Sequence, residues 1–528
     1  MGMYVNPGNR AFAEVADSDY VDKTGMIGLI NQTIGKKNKL TCVSRPRRFG
    51  KSWAAKMLAA YYDCSCDSHE LFDSRKIAGT KEYRTFMNQY NVICFDVTSF
   101  INLAQQKNIS LEKIPNLIGN EIHKELYNLD PHWNPADDVE SSLIRCVEKP
   151  GGRPFVFIID EWDALIREAK NDEETQRRYL TMIRGWFKSI SFTPKVVAAA
   201  YMTGILPIKK DGSQSAISDF HEYSMLYPGK FARYTGFSEM EVRRLCKRNK
   251  MEFDEVRTWY DGYKLFGATA VYNPFSVMSA MNEGTCRSFW GMTSAAEGLT
   301  TYIRMNFDGL QETIANLIAG SETDVNTTRF QNDLERFRTK DDILTLLIHL
   351  GYLTYDTASG TTHIPNEEVR EEFINFLAED DVGEHWSTLI GRSRQLLKDT
   401  LSGNEDPVAA AMEEIRNEQY APQYYNNEQA LRAIIKYAYL AAFGKYVKIE
   451  ELPSGKGLAD VVFIPTPLTK LPAMLIEMKW NKSAEGAIAQ IRDRRYMSSL
   501  QPFAGNILLI GINYSEKTGK HSCKIEKA

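Results

Sequence analysis

The junction Arg45-Pro46-Arg47-Arg48-Phe49-Gly50-Lys51-Ser52 constrains the chain most, because it sits between an apolar run, Leu40 to Val43, and a helical pattern beginning near Trp53. A strand, a turn closing in Gly-Lys-Ser and a helix together build a phosphate cage. Backbone N–H groups and the helix N-terminus face the anion, a lysine neutralises the outer phosphates and a hydroxyl holds Mg²⁺. On this reading Gly50, Lys51 and Ser52 hold ATP, and Arg47 and Arg48 add positive charge beside it. The tripeptide alone arises by chance about once in every few chains of this length. The usual pattern G-x-x-x-x-G-K-[S/T] has a glycine where this chain has Arg45, so the first tight turn is built differently or is absent. A basic surface turn opening an ordinary helix is the competing reading of the octapeptide.

A second segment weighs against that competitor. Phe155-Val156-Phe157-Ile158-Ile159 is a continuous apolar run of the kind shown by a strand buried on both faces, and it ends in Asp160-Glu161. Carboxylates at the carboxyl end of such a strand lie where open α/β sheets bind ligands. Asp160 is expected to hold Mg²⁺ through water, and Glu161 to polarise the water that attacks the γ-phosphate. Two acids capping the next helix are the alternative. Val92 to Val97 and Val196 to Met202 read as further strands of the same sheet. Thr203, at the tip of the latter, is placed to sense the γ-phosphate, although Thr203-Gly204 reads equally well as the start of a turn.

Tyr20-Val21-Asp22-Lys23-Thr24, the RPRRFGKS loop, Ile158 to Asp163, Gly236-Phe237-Ser238, Trp259-Tyr260-Asp261-Gly262-Tyr263 and Tyr272-Asn273-Pro274 together resemble the bacterial AAA-ATPase-like family. The resemblance covers most of the chain. It implies that Gly50, Lys51, Ser52, Asp160 and Glu161 form the nucleotide site, and that a PD-(D/E)xK nuclease-like domain follows. It also implies that an arginine-rich loop without its first glycine is normal for the group.

At 528 residues the chain is too long for one core. No N-terminal segment joins a basic start to an apolar core, and no run of about 18 apolar residues occurs, so a cytoplasmic protein without membrane contact is expected. Eight scattered cysteines form no disulfide framework. Cys64, Cys66 and His69 lack a second pair at zinc-finger spacing and read as ordinary packing residues. The expected architecture is α/β. A P-loop NTPase parallel-sheet domain spans 1–235, its lid or connector 236–285, and a mostly helical region 286–405. In that region Asp342 to Leu347 and the strand-like pair after it are open to reading as a winged helix. A PD-(D/E)xK restriction-endonuclease-like α/β domain spans 406–528.

The last part carries its own chemistry. Asp460 opens an apolar strand, Val461 to Ile464, a turn follows, and Ala473 to Ile476 leads into Glu477-Met478-Lys479. Antiparallel pairing with Pro465 opposite Pro472 sets Asp460 opposite Glu477, roughly 4.5–5.5 Å apart at Cβ, which suits one shared Mg²⁺. Lys479 points to the same face as Glu477 by the period of two. Carboxylates that hold a metal and an ammonium that positions water or stabilises developing charge are what phosphodiester hydrolysis needs. The set resembles the PD-(D/E)xK core with its first element reduced to a lone aspartate. Glu428 shares the apolar face of Leu431, Ile434, Ile435 and Ala438 and joins the metal site or else caps a helix start. Gln490 matches the glutamine that often follows E-x-K in these nucleases, or is a solvated helix residue.

Net charge is −4, so bulk electrostatics do not hold the chain on nucleic acid. From Glu451 onward the balance turns basic, and Arg492, Arg494 and Arg495 cluster near Gln490, as a polyanion rim or as a solvated helix face. The leading expectation is an ATP-binding, ATP-hydrolysing protein coupled to a Mg²⁺-dependent nuclease, with DNA favoured over RNA. A protein partner or homo-oligomer stays open. The alternative is a nucleotide-dependent switch whose nuclease-like domain binds without cutting.

Overall fold

The computed structural model describes residues 2–17, 19–208, 217, 219–265, 270–290, 307–330, 337, 339–377, 384–419, 427–442, 445–454, 457–465, 469, 471–493, 503 and 505–528. The chain divides into two compact units. One comprises Met1–Leu245, Gly262–Val277 and Val325–Thr362; the other comprises Cys246–Asp261, Met278–Asp324 and His363–Ala528.

The first unit is built on β1 (Leu40–Ser44), β2 (Asn91–Asp96), β3 (Phe155–Asp160), β4 (Val197–Gly204) and β5 (His221–Tyr223), in the order β2-β3-β4-β1-β5. Every neighbouring pair is parallel. Burial of β1, β3 and β4 along their whole length explains why they read as unbroken apolar runs. Their residues alternate between two cores. Val43, Val156, Ile158, Ala199 and Tyr201 pack with helix α1 (Lys51–Tyr62), whereas Cys42, Phe157, Ile159, Ala200 and Met202 belong to the opposite layer. Continuing the period of two puts Asp160 and Thr203 on the α1 face.

Strand β4 lies between β1 and β3. Val43 is level with Thr203, and Ile159 with Met202, so the three carboxyl ends meet at one edge. Helix α2 (Ala164–Glu168) starts just past β3. A small antiparallel sheet of β6 (Phe237–Ser238), β7 (Tyr263–Lys264) and β8 (Ala270–Tyr272), in the order β6-β8-β7, braces the loop between β1 and α1. Gly236 N donates to Phe49 O at 3.1 Å, and the Phe49 and Tyr263 rings meet edge to face at 5.1 Å. Gly236 has φ +93°, and a Cβ there would stand 2.2 Å from Val271 Cγ1, so only glycine fits.

Helix α3 (Lys340–Leu350) in the same unit opens with a Thr339/Asp342 capping box and ends at Gly351, with φ +85°. Strands β9 (Thr354–Asp356) and β10 (Thr361–His363) follow, in the helix-then-strand-pair order read from the sequence. Ile343 through Leu350 are all buried, which leaves that stretch of α3 no free face for a duplex groove. Tyr263 Oη donates to Gly351 O at 2.8 Å, tying α3 to the small sheet.

The second unit ends in a mixed sheet. Helix α4 (Glu428–Ala438) precedes β11 (Tyr446–Ser454), β12 (Gly457–Pro465) and β13 (Ala473–Trp480); helix α5 (Ala484–Asp493) then crosses over to β14 (Ile507–Ser515) and β15 (Lys520–Lys527). Strand order follows the chain, and only the β13–β14 pair, which α5 connects, is parallel. Val462, Ala473, Leu475, Ile488, Ile491, Ile507 and Leu509 form the core between sheet and α5. Among the described residues no helix is long and apolar enough to cross a membrane, and no group of three or more His, Cys, Asp and Glu side chains could hold a metal ion. All eight cysteines are free thiols.

Candidate functional site

At the edge where β1, β3 and β4 meet, Lys51 faces Glu161, the residue just past β3. Gly50, with φ +83°, turns the chain into α1, and a Cβ there would meet nothing within 4 Å, so backbone conformation rather than space requires glycine. Lys51 is buried, with Nζ 3.3 Å from Glu161 Oε1, and donates to Arg45 O at 3.1 Å and Pro46 O at 3.0 Å. Burial pushes the Asp160 carboxyl up to about 6; hydrogen bonding from Ser52 pulls the other way, the charge of Glu161 raises it further and that of Lys51 lowers it. The Asp160 carboxylate and the Ser52 hydroxyl together form a pair of hard oxygen donors. Such donors fit the oxygen-ligand preference of Mg²⁺.

Glu161 has φ +48°, a left-handed conformation that costs a non-glycine residue about 1–2 kcal/mol. Both of its carboxylate oxygens are engaged. Oε1 faces Lys51, and Oε2 accepts from Arg167 Nη2 at 2.8 Å. Thr203 is fully buried, and its carbonyl accepts from Trp162 N at 2.9 Å. The polar tip of β4 therefore lies beside the acids of β3.

The arginines of the loop separate by role. Arg45, in the place of the usual glycine, is fully buried and acts as an internal strut: Nε donates to Thr235 Oγ1 at 2.9 Å, and Nη1 to the Ser44 and Tyr223 carbonyls, each at 2.8 Å. Burial pushes its guanidinium down to about 10. Burial also pushes the nearby His349 of α3 down to about 3, with the charge of Arg45 adding to it. Arg47 is half-buried and feels Arg167 and Glu161. Arg48, with φ +70°, is exposed and lies 4.4 Å over the Phe275 ring.

In the second unit, β12 and β13 pair with Val461 opposite Ile476, Val462 opposite Leu475 and Phe463 opposite Met474. This is the register expected from Pro465 facing Pro472, and one further step sets Asp460 beside Glu477. The apolar face that carries Ala473 and Leu475 continues into Glu477 and Lys479, both buried. Lys479 Nζ donates to Glu477 Oε1 at 3.0 Å and to Met478 O at 3.0 Å, and Gln490 Nε2 of α5 donates to the same Glu477 oxygen. Gly511, level with Glu477 on β14, permits this approach, because a Cβ there would stand 2.2 Å from Ala484 O.

Sequence reasoning missed the arginine in this centre. Arg432 Nη2 contacts Asp460 Oδ1 at 3.0 Å, while Met478 N donates to Asp460 Oδ2 at 2.8 Å. The signal was the spacing: Arg432 follows Glu428 by one helical turn in the sequence of α4. Glu428 opens α4, but its side chain lies outside the described residues, as do Arg494 and Arg495. Arg492 is described and pairs with Glu526 at 2.7 Å. The carboxylates of Asp460 and Glu477 are again hard oxygen donors of the kind that fits Mg²⁺.

Residues 8–213 match the family model described as a predicted AAA-ATPase, and residues 426–523 match the PD-(D/E)XK nuclease superfamily. An uncharacterized protein in the vnfD 5' region of Azotobacter chroococcum mcd 1 is 24% identical over 532 residues, covering 96% of each chain. Among solved structures, the replication initiator DnaA bound to AMPPCP and single-stranded DNA aligns at 10% identity with a TM-score of 0.27, over 73% of this chain and 92% of that one. The ORC2 protein of Aeropyrum pernix, in ADPNP–ADP complexes, aligns at 11% identity with a TM-score of 0.32, over 69% and 97%. Both scores fall short of a shared global fold, so the assignment stands on the strand orders and the two family matches. The chain carries an AAA-ATPase-like domain followed by a domain of the PD-(D/E)XK nuclease superfamily.

Proposed function

We propose that this chain, which joins an AAA-ATPase-like domain to a PD-(D/E)XK nuclease-superfamily domain, hydrolyses ATP in the first and cleaves nucleic acid phosphodiesters in the second, DNA in preference to RNA. The observation that carries the reading is convergence. Lys51 from one strand–helix junction and Glu161 from another come within 3.3 Å, and Asp460, Glu477, Lys479 and Gln490 gather at the end of one hairpin.

In the nucleotide centre, Gly50 and Lys51 bind and orient the phosphates, Ser52 and Asp160 supply oxygen ligands, and Thr203 presents a hydroxyl to the γ-phosphate. Arg47 and Arg48 add positive charge at the rim. Glu161 holds the attacking water and takes up its proton. In the nuclease centre, Asp460 and Glu477 supply the carboxylates, joined by Glu428 from α4. Lys479 orients the attacking water or meets charge that develops on the phosphate, and Gln490 fixes the Glu477 rotamer. When bound, Mg²⁺ offsets phosphate charge and lowers the pKa of water. Nucleotide binding or turnover gates access to the nuclease centre.

One observation favours a second reading, in which the nuclease-like domain binds without cutting: Arg432 and the Met478 amide occupy both oxygens of Asp460. Cleavage of plasmid DNA by highly purified wild-type and Lys479→Ala protein in Mg²⁺ separates the two. Loss of cleavage in the variant supports the nuclease. Equal cleavage by both removes it, and no cleavage by either, with ATP retained, supports the binding module. Lys51→Ala is expected to lose nucleotide binding, measured by equilibrium titration.

A further inference from the structure

Arg167 has no part in the scheme above, yet the chain anchors it with care. Its Nη2 donates to Glu161 Oε2 at 2.8 Å and its Nε to Asp163 Oδ2 at 3.1 Å. Asp163 is buried and fixed in turn by the end of β4. Its Oδ2 accepts from Leu206 N at 2.9 Å, and both oxygens lie within 3.3 Å of Ile205 N. Gly204 makes that approach feasible, because a Cβ there would stand 2.5 Å from Asp163 Oδ1 and 2.8 Å from Trp162 Cδ1. The relay runs from the tip of β4, through a buried carboxylate and a guanidinium, to one oxygen of Glu161.

The two partners of Glu161 differ in what a nucleotide does to them. Among the described residues the other hydrogen-bond acceptors of Lys51 are neutral carbonyls of its own loop, Arg45 O and Pro46 O, so a polyphosphate is a stronger acceptor and draws the ammonium away from Oε1. Arg167 is bound to Asp163 as well and stays with Oε2. The carboxylate is then held by one oxygen while the other faces water. Freezing the carboxylate in that pose removes rotamer freedom from a glutamate that must meet the water within hydrogen-bond reach.

Building on the assignment of Glu161 to water activation, we propose that Arg167 is a positioning residue for ATP hydrolysis: anchored through Asp163 to the end of β4, it fixes Glu161 by Oε2 while Lys51 leaves Oε1 for the phosphates. The test uses the full chain and compares wild type, Arg167→Gln, Arg167→Lys, Glu161→Gln and the double variant R167Q/E161Q in steady-state ATP hydrolysis and equilibrium binding of a fluorescent ATP analogue. Thermal unfolding accompanies each variant. R167Q is expected to lower kcat by about 10- to 100-fold with nucleotide affinity nearly unchanged, the scale of a misplaced catalytic group. R167K, which keeps the charge, is expected to recover part of the loss. The double variant is expected to be no slower than E161Q alone.

A wild-type kcat in R167Q would overturn the proposal, as would independent, multiplying losses in the double variant. Should R167Q melt early, R167K decides the matter, and equal kcat and nucleotide affinity losses in a stable R167K would mark a merely structural role. E161Q turning over at the wild-type rate would instead remove the assignment of Glu161, and the role of Arg167 with it.

Discussion

The two candidate centres gather similar chemistry, an acid pair with a lysine and an arginine against it, by opposite routes. The nucleotide centre draws Lys51, Asp160, Glu161, Thr203 and Arg167 from three parallel strands and the segments after them. The nuclease centre takes Asp460, Glu477 and Lys479 from one hairpin and adds Arg432 and Gln490 from two helices. A parallel edge exists only when the whole sheet is assembled, whereas a hairpin carries its register in its own turn. The first centre should therefore fail through remote packing changes and the second through local ones.

The largest expected effect lies in the first centre. Glu161→Gln should lower ATP turnover by about 10²- to 10⁴-fold while nucleotide stays bound, read by phosphate release and filter binding. In the second, Lys479→Ala should lower Mg²⁺-dependent plasmid cleavage by about 10²- to 10³-fold and leave ATP turnover within about twofold of wild type. An equal loss in both assays would merge the two centres into one.

Packing changes sharpen the contrast further. Gly236→Ala combines φ +93° with a 2.2 Å clash against Val271 and should cost about 3 kcal/mol in denaturant unfolding. Its effect should reach ATP turnover through Phe49, which Gly236 holds in the phosphate loop. Gly511→Ala pushes on Ala484 at the start of α5 and should cost about 1–3 kcal/mol, lowering cleavage by moving Gln490 while sparing ATP turnover.

The effect that leaves both activities aside is a slope in pH. His349 is held near 3 in the folded chain by burial and by Arg45, below its free value near 6.5. As pH falls the unfolded chain takes up the proton first, so the contribution is complete above about pH 6.5 and drains as pH drops toward 3. At pH 5 the loss is about 2 kcal/mol. His349→Gln should flatten that slope in stability curves between pH 7 and 5, whatever its absolute stability.

What the sequence made legible follows the same division. The hairpin register could be counted from Pro465 and Pro472, because antiparallel pairing is symmetric about its turn, and β12–β13 holds it. β1 and β3 were readable because strands buried on both faces are apolar without a break. The neighbour of β3 that carries Thr203 could be identified as a strand, but its place between β1 and β3 is a property of the assembled sheet. Arg45 read as a missing glycine. Only tertiary contacts with Thr235 and Tyr223 show a buried guanidinium bracing the loop. Arg167 and Arg432 each left a one-turn spacing from an acid, a signal too common in helices to single them out. The entry of Val325–Thr362 into the first unit left no local trace, because burial of α3 on every side from Ile343 to Leu350 is a tertiary property that names no partner in the sequence.

Parallel assays of ATP hydrolysis and plasmid cleavage on one set of purified proteins, wild type, E161Q and K479A, with and without EDTA, test the existence of two distinct centres most directly. Expected is a crossed pattern: E161Q loses ATP turnover, K479A loses cleavage but keeps turnover, and EDTA abolishes both. Cleavage by K479A at the wild-type rate, or ATP turnover by E161Q at the wild-type rate, would contradict it.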